Sequence, residues 1–280
     1  MTFKSLLVVL DPDHHCGART RAAIGLARRF EAHLTGLAPT GLVDLPAVPY
    51  AAASISEYAA VAWDALRAQA EQISGRFRDQ CHAAGLRAFD VAIEEADQAR
   101  SVVQRAHCAD LVVLTQADPA SDGHRATQLL VESVALHSAR PTLILPYAGS
   151  FDRIGHKVLV AWDDSREAAR AVADALPFLR QAAEVRVVGW GETGATDLAR
   201  TGTALDAVCG WLKHHGVHAT PQVEPATSQV GDAMLSRAAD WDSGLIVMGA
   251  YGHARWAERV LGGATRQMLQ SMTVPVLMSH

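Results

Sequence analysis

The chain has 280 residues, 49% hydrophobic and 20% charged, with a formal net charge of −5. That length fits two domains of about 140 residues, each able to bury its own core. The mild acidity is spread without long like-charge blocks, so nothing points to nucleic acid. No apolar run reaches the roughly 18 residues of a membrane span, and MTFKSLLVVLDPDHH has too short an apolar core and no small-residue cleavage site for a signal peptide. No membrane partner and a cytoplasmic address are therefore expected. Cys16, Cys81, Cys108 and Cys209 show no CxxC or metal-type spacing and read as reduced, mostly structural thiols.

From the N-terminus, short apolar runs near 5–10, 33–38, 87–93, 110–115 and 141–146 read as strands, with a long amphipathic helix across 56–84. His14 and His15 follow Asp11 and Asp13, a group able in principle to hold a divalent metal. Adjacent residues seldom converge on one ion, so helix capping and solvation are the expected roles and no metal site is assigned. A second series follows, with strands near 157–162, 184–190, 217–223, 244–249 and 274–279 and helices near 165–180, 202–215, 229–240 and 262–272. His214 and His215 fall at a helix end, where positive charge is favourable.

The two series are copies of one unit. ADLVVLTQA at 109–117 aligns with SGLIVMGAY at 243–251, and ARPTLILPY at 139–147 with MTVPVLMSH at 272–280; Leu111 on Leu245 and Pro141 on Pro275 both give an offset of 134. At the starts, SLLVVLDPD aligns with KVLVAWDDS, and Asp11 on Asp163 gives 152. The first copy thus carries about 18 extra residues, placed at 39–56 (PTGLVDLPAVPYAAASIS), a lid, an interface or an ordinarily packed loop. The domains are drawn at 1–150 and 151–280. Alternating strands and helices, with strands rich in Val, Leu and Ile, predict two tandem doubly wound parallel five-stranded α/β sheets. Ligands of such sheets sit beyond the carboxyl ends of the strands, at the switch in strand order.

Asp163 closes the first strand of the second copy and Gly249 the fourth, so both lie on that rim. MGAYGHARWAERVLGGATRQML, 248–269, carries Gly249, Gly252, Gly262 and Gly263. Each glycine costs roughly 1 kcal/mol against alanine inside a helix. A glycine-bordered helix start presents unpaired N–H groups and a positive dipole end to phosphate, and Thr265 could add a hydroxyl. Glycines that merely end a strand and start a helix account for the pattern equally well. The loop has no lysine, which excludes GxxxxGK[ST], and no GxGxxG follows a first strand. His253 and Arg255 lie inside the loop, where either could reach a phosphate oxygen or face solvent. Glu258 is the one acid within it, and nothing in the sequence puts it beside an attacking water.

Gly249-x2-Gly252-x9-Gly262 resembles the G-x2-G-x9-G-[S/T] nucleotide loop of the universal stress protein family, and VLVAWDDSREAARAV resembles that family's opening strand, aspartate and first helix. The resemblance covers both copies in outline and implies a tandem member with an adenine-nucleotide alpha hydrolase-like fold. It implies ATP or AMP as ligand, with Mg2+ bridging the phosphates of ATP. Asp163 would contact the adenine and its neighbours, Ala161 would lie beside the base, and Trp190 would stand where a small residue touches adenine. Gly249, Gly252 and Gly262 would form the phosphate loop. Gly263 replaces the usual hydroxyl residue, and Thr265 keeps the second one. An indole at Trp190 either stacks on the base or fills its slot.

In the first copy the loop glycines are replaced: Thr115, Asp118, Gln128 and Leu129 stand opposite Gly249, Gly252, Gly262 and Gly263. That copy is expected to be a structural partner, packed on the second as subunits pack in dimeric relatives whose final strands meet. The chain is then an intramolecular pseudo-dimer, and a homodimer of chains stays open. Three functions compete: a stress-related nucleotide-binding regulator without a catalytic residue, a slow ATPase using the same pocket, and a nucleotide-free interaction module.

Overall fold

The computed structural model describes all residues except 1, 42–52, 150, 152, 192–193, 227–228 and 252–262. In chain order the elements are β1 (Ser5–Val9), α1 (Cys16–Phe30), β2 (His33–Pro39), α2 (Ala53–Ala83), β3 (Phe89–Glu94), α3 (Gln98–Ala106), β4 (Leu111–Thr115), α4 (His124–His137) and β5 (Thr142–Leu145). The second series is β6 (Lys157–Ala161), α5 (Arg166–Leu179), β7 (Glu184–Gly191), α6 (Ala195–His214), β8 (Ala219–Pro225), α7 (Val230–Asp240), β9 (Leu245–Gly249), α8 (Gly263–Ser271) and β10 (Val276–Ser279). No helix among the described residues is long and apolar enough to cross a membrane.

The expectation of two five-stranded sheets is corrected: the strands form one ten-stranded sheet in the order β3-β2-β1-β4-β5-β10-β9-β6-β7-β8. Its antiparallel join is β5 on β10, with Ile144 opposite Val276, Leu143 opposite Leu277 and Thr142 opposite Met278. Both strands are buried along their whole length, so an unpaired edge on either would strand backbone N–H and C=O groups away from water. Each supplies the other's missing ladder. The pairings of β1 with β2 and β4, β2 with β3, β6 with β7 and β9, β7 with β8, and β9 with β10 are parallel.

Two compact units are present, Phe3–Leu114 and Thr115–His280, the latter with Met1–Thr2. In the first, β1 lies between β2 and β4, with Leu6 opposite both Leu34 and Leu111. The core is Leu and Val from these strands, closed by Ala23, Leu26, Ala27 and Phe30 of α1 and Phe77 of α2. The helix expected at 56–84 is α2. Most of the 39–56 insertion lies outside the described residues.

In the second unit, β6 lies between β7 and β9, with Val158 opposite both Val185 and Leu245. The chain steps outward through β7 to β8, then returns to β9 on the other side of β6, so the switch point lies where β6 and β9 end. Helix α5 starts because Ser165 caps it, its hydroxyl accepting from Ala168 N at 3.1 Å. Ala168, Ala171, Val172, Ala175, Phe178 and Leu179 then repeat at helical spacing and are buried. Helix α6 begins seven residues before the predicted position 202. Its buried residues are Leu205, Val208 and Leu212, so the first turns carry no apolar period to read. The outer strand β8 holds Pro221 and Pro225, which cannot donate to a further strand.

Candidate functional site

The carboxyl ends of β6, β7 and β9 and the first turn of α8 bring Ala161, Asp163, Trp190, Gly249, Gly263 and Thr265 to one rim of the second unit. Gly252, His253, Arg255, Gly262 and Glu258 lie outside the described residues.

Ala161 is buried at the end of β6, and Trp162 continues the ladder by donating from its N to Val188 O at 2.9 Å. The chain then turns through Asp164, whose φ of +61° lies in the left-handed region that aspartate tolerates. Asp163 is exposed, one carboxylate oxygen accepting from Ser165 N at 3.1 Å. The indole N–H of Trp162, beside it, is buried and meets no acceptor among the described residues. Sequence reasoning passed over this tryptophan, since nothing in VLVAWDDS sets it apart from an ordinary strand-end aromatic.

Trp190 is half-buried near the end of β7. A Cβ at its neighbour Gly189 would lie 2.7 Å from Thr201 Cγ2, and one at Gly191 would lie 2.8 Å from Thr201 Oγ1, so both glycines face α6. Strand alternation then turns the indole to the opposite face of the sheet.

Gly249 has a packing role of its own, beside the one its motif suggests. A Cβ there would stand 2.7 Å from Ala168 N and 2.7 Å from Glu167 C, so the glycine lets β9 abut the first turn of α5. The chain after it is pinned on both sides. Ala250 N donates to Ser279 O at 2.8 Å, Ala250 O accepts from His280 Nδ1 at 3.0 Å, and Tyr251 N donates to Thr265 Oγ1 at 3.1 Å. Thr265 is 3% exposed, so its hydroxyl anchors the entrance of the loop from below. Tyr251 sits at a φ of +55°, and burial, with Glu132 adding to it and Arg266 opposing, pushes its phenol up to about 12. It is a neutral hydroxyl at any physiological pH.

Beneath the rim, Glu167 is buried. Burial pushes its carboxyl up, but the hydrogen bond from Arg166, a backbone hydrogen bond and nearby His280 outweigh that and hold it below the usual carboxylate range. Gly263 begins α8 exposed, and a Cβ there meets nothing within 4 Å among the described residues. Alongside runs a cleft of about 300 Å³ lined by Val230 of α7 and by Gly263, Ala264, Arg266, Gln267 and Gln270 of α8. Arg266 therefore brings a cation to the same helix start, a residue with no motif to announce it.

The first copy uses its corresponding aspartate differently. Asp11 Oδ2 lies 2.8 Å from a terminal nitrogen of Arg19, whose Nε donates to Val9 O at 2.7 Å. Arg19 is 2% exposed; burial works against its charge, and Asp11 more than compensates, raising its pKa. At the 152 offset Arg19 meets Ala171, so this buried cation belongs to the first copy alone. The expected capping by His15 is also absent, since its side chain makes no cap hydrogen bond to α1.

These features define a doubly wound α/β protein of two tandem copies, with a candidate site at the carboxyl rim of the second. The chain has the universal stress protein fold over nearly its whole length, and residues 155–280 match the model of the Universal stress protein family. A universal stress protein from Archaeoglobus fulgidus DSM 4304 superimposes with a TM-score of 0.75 at 16% identity, covering 98% of this chain and 96% of that one. A functionally unknown protein from Pseudomonas aeruginosa PAO1 gives a TM-score of 0.58 at 15% identity over 99% and 92% of the two chains. A universal stress protein solved in complex with cAMP overlaps 53% of this chain and 100% of its own, at 19% identity and a TM-score of 0.37. No curated protein matches the sequence.

Proposed function

We propose that residues 151–280 form an adenine-nucleotide-binding domain that takes ATP or AMP at its carboxyl rim and acts as a regulatory module, with residues 1–150 as its structural partner. The observation that carries this reading is the exposed carboxylate of Asp163 on the same rim as the open start of α8. The helix start offers unpaired backbone N–H groups and its positive dipole end, and Arg266 adds a full charge beside them. Asp163 takes the adenosine end, Ala161 and Trp190 border the base, and Gly252, His253, Arg255, Gly262 and Gly263 meet the phosphates. Mg2+ bridges the phosphates when ATP is bound. Gly249 and Thr265 hold the loop's frame.

Binding without turnover is the favoured form, because the buried carboxylate under the rim, Glu167, is engaged by Arg166 and held ionised. A general base must instead be in reach of a water. Denaturing fresh protein and identifying the released small molecules tests the reading. Adenine nucleotide near one per chain is expected. Protein emptied of ligand should gain about 2.7 kcal/mol of stability at 100 times the dissociation constant. No nucleotide released and no response to ATP with magnesium would overturn it.

Gly263→Ser is expected to tighten ATP binding about tenfold, since a hydroxyl on a phosphate oxygen contributes about 1.5 kcal/mol. The Cβ meets no atom of the described residues within 4 Å, so the gain comes without a clash there. Titration calorimetry checks it, and an unchanged affinity would place the phosphates elsewhere.

A further inference from the structure

The loop that follows β1 in the first compact unit brings three potential metal ligands together, which their adjacency in sequence does not require. His14 Nδ1 lies 3.2 Å from Asp13 Oδ1, and His15 Nε2 lies 4.0 Å from the same oxygen. One ligand atom from each of Asp13, His14 and His15 falls within 4.8 Å of the others. We propose that Asp13, His14 and His15 form a binding site for a divalent transition metal of the zinc class.

The distances carry the argument. Ligand atoms of a tetrahedral ion with bonds of about 2.0 to 2.1 Å stand roughly 3.3 Å apart, and the pairs around Asp13 Oδ1 already bracket that separation. Two imidazoles and one carboxylate are a donor set that suits zinc and leaves a fourth position for water. The backbone holds the loop in shape: Asp13 N donates to Asp11 Oδ1 at 3.2 Å, and His15 N donates to Asp13 Oδ1 at 2.8 Å. The imidazole centroids are 3.7 Å apart at 44°, so the two rings lie side by side on the same turn. Asp13 and His15 are 19% and 16% exposed, and His14 at 71% is the ligand that an incoming ion meets first. Charge favours the ion too. Asp11 is engaged by Arg19, and Asp13 is the carboxylate on this turn that faces both imidazoles. The site belongs to the first compact unit and does not rest on the nucleotide-binding reading.

The test is equilibrium dialysis of the full-length, untagged protein against Zn2+ alone, with metal counted per chain. About one zinc per chain is expected, lost in the His14→Ala/His15→Ala double variant and kept in a His214→Ala/His215→Ala control. Asp13→Asn preserves the turn's size and an acceptor for His15 N, and is expected to weaken binding about tenfold or more. Cobalt substitution gives a second readout, with tetrahedral d–d bands present in the parent and absent from the double variant. Circular dichroism of each variant separates lost ligands from lost fold. Equal zinc in the parent and a folded double variant, or no zinc in the parent at micromolar free metal, would overturn the proposal and leave an ordinary surface ion pair.

Discussion

Asp11→Ala is expected to destabilise the protein by about 3 kcal/mol, while Asp163→Ala, the same position of the fold, changes stability by no more than about 1 kcal/mol. The asymmetry follows from what each carboxylate faces. Asp11 is the counter-charge of a guanidinium that is 2% exposed, and removing it leaves Arg19 charged and buried. Asp163 is exposed and accepts one backbone hydrogen bond at the start of α5. Ligand affinity should divide the other way, with Asp163→Ala losing nucleotide and Asp11→Ala retaining it. Urea unfolding and ATP titration of both variants give four results. Equal stability losses would mean that Arg19 finds another partner, and equal affinities would remove Asp163 from the site.

Gly249→Val should cost about 3 kcal/mol or more, because overpacking a tight contact costs about 1 to 3 kcal/mol even where side chains can give way. Here the obstruction at 2.7 Å is the backbone of Glu167 and Ala168. Gly263→Ala, in the same motif, should instead be neutral or stabilising by up to about 1 kcal/mol, since its Cβ enters open space at a helix start. Urea midpoints of the two variants distinguish a glycine kept for packing from one that is not. If Gly249→Val were as stable as the parent, α5 would have to slide along the sheet to admit it.

Much of this was legible because strand and helix periods differ. Runs such as LLVVL, DLVVLT and KVLVA announce strands covered on both faces, and the 134 offset announces the duplication. The single sheet was not legible. Alternation along β5 and β10 says which residues are buried and nothing about which strand lies alongside, so the copies were counted separately although their last strands were expected to meet. At the site, spacing marked Asp163 and the glycines, but it could not tell an approach to phosphate from an approach to α5. Arg19 left a signal that went unread: with Ala22, Leu26 and Phe30 it falls on the buried stripe of α1, where a charge needs a partner. Arg266 left none, being an ordinary exposed base on an amphipathic helix.

The antiparallel join of β5 and β10 means that the piece of chain that was duplicated and the piece that packs together are offset by one helix and one strand. Severing the gene at the repeat boundary would deliver a second half whose outermost strand is a bare, largely apolar edge, a template for fibres or for swapped dimers. A cut ahead of α4 would carry its own cover for that edge. Duplication here did more than supply a spare copy. It places within one polypeptide the strand that a lone second half would have to borrow from a neighbouring chain.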